Sequence, residues 1–274
     1  MFNNELGKAL GFPMAHHGIA RLDEHLYFVT KNFTHEGIGL VHGSLLIADA
    51  LQASIKEVDA VSHDSEQQFY EISMVEEAIR AICGKDSDAV FQALVCMLVC
   101  DTLIGCSDRH TMNCGVLRPE RGTDGENGYT FAPIFDSARA LAWDLTESKL
   151  LEYDLDDGRL EAFLERSHPC IGPRRTQTKT GKQSHFDLMK SLRAEYPHQI
   201  AKAFGLLEKV DVGAVAKRVL GRYPYRVGFT GLRKRVILKI LSRRIQRLRK
   251  CVEGKEGGMN NELVCETQNA ASEN

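Results

Sequence analysis

The chain has 274 residues, of which 43% are apolar and 26% are charged, with a formal net charge of −2. This length can bury a substantial core, in one large domain or two small ones, and the composition is ordinary for a globular protein. The longest apolar run, 89–104, is interrupted by Gln92 and Asp101, and the first residues lack the pattern of a secretion signal, so we expect a cytoplasmic protein without a membrane span.

The first forty residues read as a short helix followed by two strands. Residues 4–12 have helical character and end at Pro13. Two β-prone runs follow, one around Ile19 and one at Leu26–Thr30, and the polar residues between them predict a turn. Glycines at positions 37, 39 and 43 then predict a loop.

The best-defined element is a helix over Ser87–Leu103. Its apolar residues cover nearly the whole circumference, which is typical of a helix in the centre of a domain, and Ser87 is positioned to cap it. The helix leads directly into the segment that contains Asp108. We expect it to act as a rigid support for that segment.

A pair of strands is predicted next, at 114–118 and 129–135, joined by residues rich in turn formers; Pro133 places the second strand at an edge or makes it short. Thr230 is positioned to cap a long final helix that runs through Cys251, and the polar residues 254–274 predict disorder. Helical periodicity is also present at 45–55, 74–82, 157–167, 185–194, 197–208 and 211–220.

Eight cysteines raise the question of disulfides or a metal. Five of them lie in the most apolar part of the chain, where free cysteine acts as a small hydrophobe that a reducing compartment keeps reduced. Cys106, His110 and Cys114 have the chemistry of zinc ligands. The paired C-x-x-C spacing of most zinc sites is absent, so zinc is the less favoured interpretation.

One short segment carries the spacing of a phosphate-binding metal site. Asp108 precedes Asn113 by five positions, as the base and the metal ligand do in a kinase catalytic loop, and Asp136 follows the strand pair. Carboxylate and amide oxygens are the ligands that Mg²⁺ prefers. The simpler alternative is that the three residues cap turns and helices, since a D-x-x-x-x-N match alone is common by chance.

At this point the chain resembles a known family. Leu103–Asn113 is similar to the catalytic loop of HipA-like serine/threonine kinases, and Ala132–Leu141 resembles their metal-binding segment. The resemblance covers most of residues 3–250. It implies an α+β, mainly helical fold: a protein-kinase-like C-lobe with a small β remnant of the N-lobe and a β-hairpin that carries the metal-binding aspartate. The implied division is 1–35 for the remnant, 36–252 for the helical lobe and 253–274 for a disordered tail.

The resemblance also implies functional roles. Asp108 would be the catalytic aspartate, Asn113 and Asp136 the magnesium ligands, and His110 a buried support of the loop. Residues Lys31, Asn32 and Phe33 would form the hinge that contacts ATP. The implied activity is phosphoryl transfer from ATP to a protein hydroxyl, with an antitoxin-like partner. Lipid-kinase relatives carry a similar Asp-Arg-His-x-x-Asn loop, so the motif alone does not fix the substrate class.

The family pattern also requires a glycine-containing phosphate loop and a strand lysine upstream, and these are not found. Glu5 could be the helix glutamate that pairs with that lysine, whereas Lys31 looks like part of the hinge and is a poor replacement. Loss of the lysine would remove a charge that positions the phosphates. Two accounts remain open: the chain is truncated, or it is a non-catalytic pseudokinase or toxin–antitoxin module.

The final helix suggests a separate hypothesis. Between Arg222 and Lys250 the chain has eleven Lys or Arg residues and no acid. Such a helix could bind nucleic acid phosphates or an anionic membrane surface. We favour the alternative that its apolar stripe packs on the core and the basic face is solvated. Likewise, 174–182 reads as an ordinary exposed loop, although it could contact phosphate, and Trp143 is interpreted as a packing residue.

Overall fold

The computed structural model describes residues 1–62, 70–119, 128–173, 182–223 and 229–253. Within these ranges the chain is mainly helical, with two small antiparallel sheets. The strands are β1 His17–Leu22, β2 His25–Thr30, β3 Ile38–His42, β4 Gly115–Pro119 and β5 Thr130–Phe131. The helices are α1 Phe2–Ala9, α2 Gly43–Leu51, α3 Ile55–Ser62, α4 Ile72–Cys83, α5 Ser87–Ile104, α6 Glu147–Leu155, α7 Asp157–Glu165, α8 His185–Glu195, α9 Pro197–Glu208, α10 Val212–Leu220 and α11 Gly231–Glu253.

Helix α5 lies in the centre of the core, as its sequence predicts. Most of its residues from Val90 to Ile104 are buried, and α4, α8, α9 and α11 all pack against it. The predicted cap is wrong: the N-cap residue is Asp86, not Ser87, and the Asp86 carboxylate accepts a hydrogen bond from the Tyr129 backbone instead (2.9 Å). Gly105, at φ +66°, ends the helix in the left-handed conformation that glycine adopts without strain.

Most of the other predicted helices are confirmed within a few residues. The predicted helix 45–55 corresponds to α2, which stops at Leu51 because Gln52 has a left-handed φ of +54°. Helices α3 and α6 were not predicted from the sequence. Three predictions fall wholly or partly outside the described residues: the tail 254–274, most of the loop 174–182 and the connection at 120–127.

The two sheets differ in how well the sequence predicts them. Strands β1 and β2 pair in the expected hairpin, with His17 opposite Thr30. The loop predicted from glycines 37, 39 and 43 is wrong in its middle, because 38–42 forms β3 and Gly39 pairs with Arg118 of β4. Strand β5 has only two residues where seven were predicted, since Pro133 has no N–H to donate to a ladder.

The N-terminal segment is part of the same core. Phe2 and Leu6 of α1 are buried, and α1 ends at Ala9 instead of residue 12. Beyond it, Ile134 pairs with this segment: its N–H donates to the Pro13 carbonyl (2.7 Å), and its carbonyl accepts from the Ala15 N–H (2.9 Å). The stretch that leads to Asp136 is therefore anchored to the start of the chain as well as to β4. The proposed domain division at residue 35 stays a prediction.

Helix α11 packs its apolar stripe on the core, as favoured by the sequence analysis. Val236, Ile240 and Leu248 are fully buried, and the Thr230 hydroxyl accepts a hydrogen bond from the Arg233 N–H (3.0 Å), which confirms the predicted cap. Several basic residues beside the stripe form ion pairs with acids of α6 and α7 instead of remaining free. These pairs are Arg235–Asp154 (2.9 Å), Lys239–Asp157 (2.7 Å), Arg243–Asp157 (3.0 Å), Arg247–Glu165 (2.5 Å) and Arg247–Glu161.

The helical run 72–104 bears on the expectation that the chain has no membrane span. By length and composition alone, 72–104 is long and apolar enough to cross a bilayer. However, 67% of its most apolar window is buried inside the protein, as in the core helix of a globular fold. The burial agrees with the central position of α5, and it makes the run weak evidence for a membrane span.

Candidate functional site

The candidate site is built on the loop that joins α5 to β4. After Gly105 the chain has no regular secondary structure until a single 3-10 turn at Thr111–Asn113, and it then enters β4. The turn is fixed from two sides. The buried Thr111 hydroxyl contacts the Ser62 hydroxyl of α3 (3.0 Å), and the Gly43 N–H of α2 donates to the Cys114 carbonyl (2.9 Å).

Arg109 links the Asp108–Asn113 loop to the stretch around Asp136, the two segments that the sequence predicts to form one site. Its side chain is 1% exposed and binds the Asp101 carboxylate of α5 through Nε (2.8 Å) and Nη2 (3.0 Å). Its Nη1 donates to two backbone carbonyls, those of Asn113 (2.7 Å) and Phe135 (2.6 Å), and Nη2 also reaches the Ser137 hydroxyl (2.9 Å). One guanidinium thus contacts Asn113 and both neighbours of Asp136.

The charge of Arg109 is secured by its partner. Burial alone would lower the pKa of Arg109, but the Asp101 carboxylate and the neighbouring Cys106 raise it above its ordinary value. The planar guanidinium meets the carboxylate in a two-point contact, a geometry that lysine cannot reproduce. Arg109 is therefore a fixed part of the fold that positions the loop.

Asp108 and Asn113 lie side by side on this loop. The Asn113 side-chain amide donates to the Asp108 carbonyl (2.8 Å), and this bond directs its Nδ2 to the loop and leaves its Oδ1 for another partner. The Asp108 side chain is 24% exposed and lies 3.5 Å from the Arg139 guanidinium. The loop thus presents one amide oxygen and one partly exposed carboxylate.

Asp136 has an unusual backbone conformation. It is exposed and has φ +48°, in the left-handed region that non-glycine residues rarely adopt. Such strain persists only where the surroundings impose it, and here both neighbours of Asp136 are bound by Arg109. Asp136 follows the short β5 by five residues, so the expectation that it ends a hairpin strand is not confirmed.

The predicted hinge residues also reach this region. The Phe33 ring lies 5.4 Å from that of Phe135, next to Asp136. The Lys31 N–H donates to the His16 carbonyl (2.7 Å), and the Asn32 side-chain oxygen accepts from the backbone and hydroxyl of Thr34. The structure brings this segment near the loop, and its role as a nucleotide-binding hinge stays a prediction.

One expectation is corrected. His110 is half-buried and not fully buried, and it supports the loop by accepting a hydrogen bond from the Met112 N–H (3.3 Å) at the start of the 3-10 turn. Glu5 lies 3.6 Å from the exposed Arg222, and its pairing with a strand lysine stays a prediction.

The zinc alternative is not supported. Among the described residues, no three His, Cys, Asp or Glu side chains come together as a metal site. Burial raises the pKa of Cys106 to about 12 and that of Cys114 to about 11, which disfavours the thiolates that zinc requires. The Cys114 thiol instead approaches the carbonyls of His110 and Thr111, both at 3.9 Å.

The Asp101–Arg109 pair that organises the site was not predicted from the sequence. Asp101 interrupts an apolar run, and neither residue was assigned a role. The available signal is an acid inside a helix that is otherwise buried, because a buried carboxylate requires a partner. Arg109, eight positions later, is the nearest basic residue that follows it.

The oxygens near the loop suit a hard divalent cation. The Asp136 carboxylate and the Asn113 amide oxygen, on segments held by a common arginine, match the ligand type that Mg²⁺ takes from a protein when it also binds phosphate and water. No nitrogen or sulfur donor is needed for this set. The donor chemistry therefore fits magnesium and disfavours zinc.

Comparison with known proteins finds one family model and two similar folds. A family model described as the HipA-like C-terminal domain matches residues 1–204. The fold resembles that of the Helicobacter pylori proinflammatory kinase CtkA, with TM-score 0.72 and 16% identity over 92% of this chain and 81% of that one. It also resembles HipA of the Shewanella oneidensis toxin–antitoxin system, solved with HipB and operator DNA, with TM-score 0.54 and 13% identity over 92% of this chain and 56% of that one. Among curated protein sequences, none matches.

Proposed function

The chain belongs to the HipA-like C-terminal domain family, and we propose that it binds ATP with magnesium and transfers the γ-phosphoryl group to a hydroxyl of a protein. The observation that carries this proposal is the position of Arg109. It joins the Asp108–Asn113 loop to the residues on either side of Asp136 through three short hydrogen bonds, and a buried ion pair with Asp101 fixes it in place. The likeness to CtkA and HipA supports the fold that such a site requires.

Each residue has a role that follows from its position. Asp108, partly exposed on the loop, orients the attacking hydroxyl and accepts its proton. Asn113 and Asp136 supply oxygen ligands for the cation, with the Asn113 amide held in the required orientation by its bond to the Asp108 carbonyl. Magnesium, when bound, would neutralise charge on the nucleotide phosphates.

A second candidate is a module that binds without catalysis. The observation in its favour is the Arg139 guanidinium 3.5 Å from the Asp108 carboxylate, since an ion pair there competes with the approach of a substrate hydroxyl. The relative from Shewanella oneidensis was solved with HipB and DNA, so an antitoxin-like protein is a reasonable partner for either candidate. A nucleic acid partner is not favoured, because much of the basic face of α11 is paired internally.

The test is a MgATP titration of the purified chain, followed by a phosphorylation assay. We expect Asp136→Ala to lose MgATP binding, and Asp108→Ala to retain binding but lose phosphoryl transfer, with the fold unchanged by circular dichroism. Asp49→Ala is the matched control, because Asp49 is an exposed acid of α2.

The outcomes separate the two candidates. Binding with transfer that depends on Asp108 supports the kinase. Binding with no transfer to any protein supports the non-catalytic module. An absence of MgATP binding by the unmodified chain, or equal binding by Asp136→Ala, contradicts the proposed site.

A further inference from the structure

A small cavity lies directly behind the loop. Its volume is about 180 Å³, and it is bordered by the end of α5, the segment after Asp136, the end of α7 and one face of α11. Polar residues contribute much of its wall. They are Ser107, Arg139, Asp144, Arg166, Ser167 and Arg244.

Arg244 is the most unusual of these residues. It is only 2% exposed, yet none of the described carboxylates forms an ion pair with it. Its described polar contact is one hydrogen bond, from Nη1 to the Thr102 carbonyl (2.9 Å), and its guanidinium also lies against Gly105 and 5.5 Å from the Phe186 ring. Its neighbours Arg243 and Arg247 on α11 each have acidic partners. A buried charge without a counter-ion is costly, which points to a ligand that supplies one.

Two further arginines border the same space. The Arg166 side chain is exposed and makes no polar contact with any described residue. Arg139 lies over the Trp143 ring (5.6 Å) and beside Asp108 (3.5 Å). Against these three guanidinium groups the lining has one carboxylate, that of Asp144, so the cavity is positively charged. The hydroxyls of Ser107 and Ser167 add uncharged donors.

We propose that this cavity binds a phosphate monoester or inorganic phosphate. Arginine guanidinium groups match the oxygens of phosphate in two-point contacts. A ligand with a single carboxylate would carry too little negative charge to balance the three guanidinium groups of this cavity, so a phosphate is the better match. The volume has room for several groups of water size, enough for a phosphate with the first atoms of an attached side chain.

Arg139 couples this cavity to the loop. Because its guanidinium contacts Asp108 and also lines the cavity, an anion bound there competes with Asp108 for it. Occupation of the cavity would therefore release the Asp108 carboxylate. Burial lowers the pKa of Arg244 to about 9, so this arginine remains charged at neutral pH and available to the anion.

The proposal is tested by calorimetric titration in EDTA, without nucleotide, at constant ionic strength. The probes are inorganic phosphate, a capped Gly-phosphoserine-Gly tripeptide and its unphosphorylated form. We expect Arg166→Gln to weaken binding of the phosphorylated probes about tenfold or more, the effect of one charged hydrogen-bonding group. Arg235→Gln is the control, because that exposed arginine pairs with Asp154 away from the cavity. Arg244→Gln, checked by thermal unfolding, should abolish binding.

Tighter binding of the phosphopeptide than of phosphate assigns the cavity to a phosphorylated side chain, and equal binding assigns it to free phosphate. If the unmodified chain and Arg166→Gln bind phosphate equally, the cavity holds an adventitious ion only, and the proposal is overturned. An absence of phosphate binding by the unmodified chain also overturns it. The proposal does not depend on the kinase assignment. Asp136→Ala should retain phosphate binding, so failure of MgATP binding and failure of phosphate binding are distinguishable.

Discussion

At the scale of single residues, the buried pair Arg109–Asp101 has the largest expected effect. Arg109→Met would leave the Asp101 carboxylate buried without a partner, and it would remove the hydrogen bonds to Asn113 and Phe135. We expect the free energy of unfolding to fall by about 3–5 kcal/mol, the usual cost of breaking a buried ion pair. Chemical denaturation measures this change.

Two controls accompany this prediction. Arg80→Met removes a half-exposed arginine that pairs with Glu76, and we expect a much smaller change. The double variant Asp101→Leu, Arg109→Met should be less destabilised than the sum of the two single variants, because it leaves neither charge unpaired. Strict additivity would mean that the two side chains do not interact.

We expect His185 to make the stability of the fold depend on pH. It is fully buried at the start of α8, and burial, with a further contribution from the charge of Arg244, lowers its pKa well below 6.5. The unfolded chain therefore binds a proton that the folded chain excludes. The contribution of the neutral His185 to the free energy of unfolding is fully present above about pH 6.5. It decreases as the pH falls below this value, by at most about 1.4 kcal/mol per pH unit.

The measurement is the free energy of unfolding from pH 7.5 to 5.0. His185→Leu should flatten the decline at the acid end, whereas the control His198→Leu, at an exposed histidine of α9, should not. A decline of the same slope in His185→Leu would assign it to other groups.

The proximity of two candidate site residues was predictable because its signal is local. Asp108 and Asn113 follow from a five-residue spacing within one loop, and the structure holds them side by side. The role of Arg109 was not predictable in this way, because its partners lie on α5 and on the stretch around Asp136. Phe135 and Ser137, which accept two of its hydrogen bonds, are 26 and 28 positions away in the sequence. A pattern in the sequence reports the neighbours of a residue along the chain, whereas a buried charge is defined by neighbours in space.

At the scale of elements, the pairing of β3 with β4 depends on a close approach at Gly115. A Cβ at this position would lie 2.3 Å from the Val41 carbonyl, a backbone atom that cannot move aside, whereas a Cβ at Gly39 in the same sheet would meet nothing within 4 Å. We expect Gly115→Ala to destabilise the fold by about 1–3 kcal/mol, the usual cost of overpacking. The same substitution should weaken MgATP binding, because β4 begins just after Asn113.

Gly39→Ala is the matched control, since it makes the same chemical change in the paired strand. It should leave both the midpoint of denaturation and MgATP binding nearly unchanged. Equal destabilisation by the two substitutions would show that the effect of Gly115→Ala comes from general strand propensity and not from the contact with the Val41 carbonyl.

Helices were predicted better than strands for a physical reason. A helix such as α5 is stabilised by bonds within its own segment, so its apolar pattern is sufficient to find it. Strand β3 is stabilised by bonds to β4, more than 70 residues later, and Gly39 within it and Gly37 and Gly43 on either side gave a local signal for a loop. The β1–β2 hairpin was found because its partner strands are adjacent.

At the scale of the whole molecule, the distribution of charge bears on the nucleic-acid hypothesis. The sequence shows a basic block near the end of the chain, but acids of α6 and α7 are brought against it when the chain folds. This neutralisation was not predictable, because α6 was not recognised and the docking of α7 on α11 is a tertiary contact. The positive charge left without acidic partners includes Arg166 and Arg244, at the cavity behind the loop.

Arg243 and Arg247 are engaged in ion pairs within the protein, so we expect them not to contact nucleic acid. If Arg243 and Arg247 contacted nucleic acid phosphates, their conversion to Gln would reduce the slope of log affinity against log salt by about 2. We expect no change in that slope for duplex DNA, and a small loss of stability from the broken pairs with Asp157 and Glu165. Lys234→Gln with Arg249→Gln is the matched control, because it removes two charges of the same helix that make no ion pair with the described residues. A reduced slope in the first variant alone would show that the ion pairs open to bind phosphate, and the terminal helix would then be a nucleic-acid interface after all.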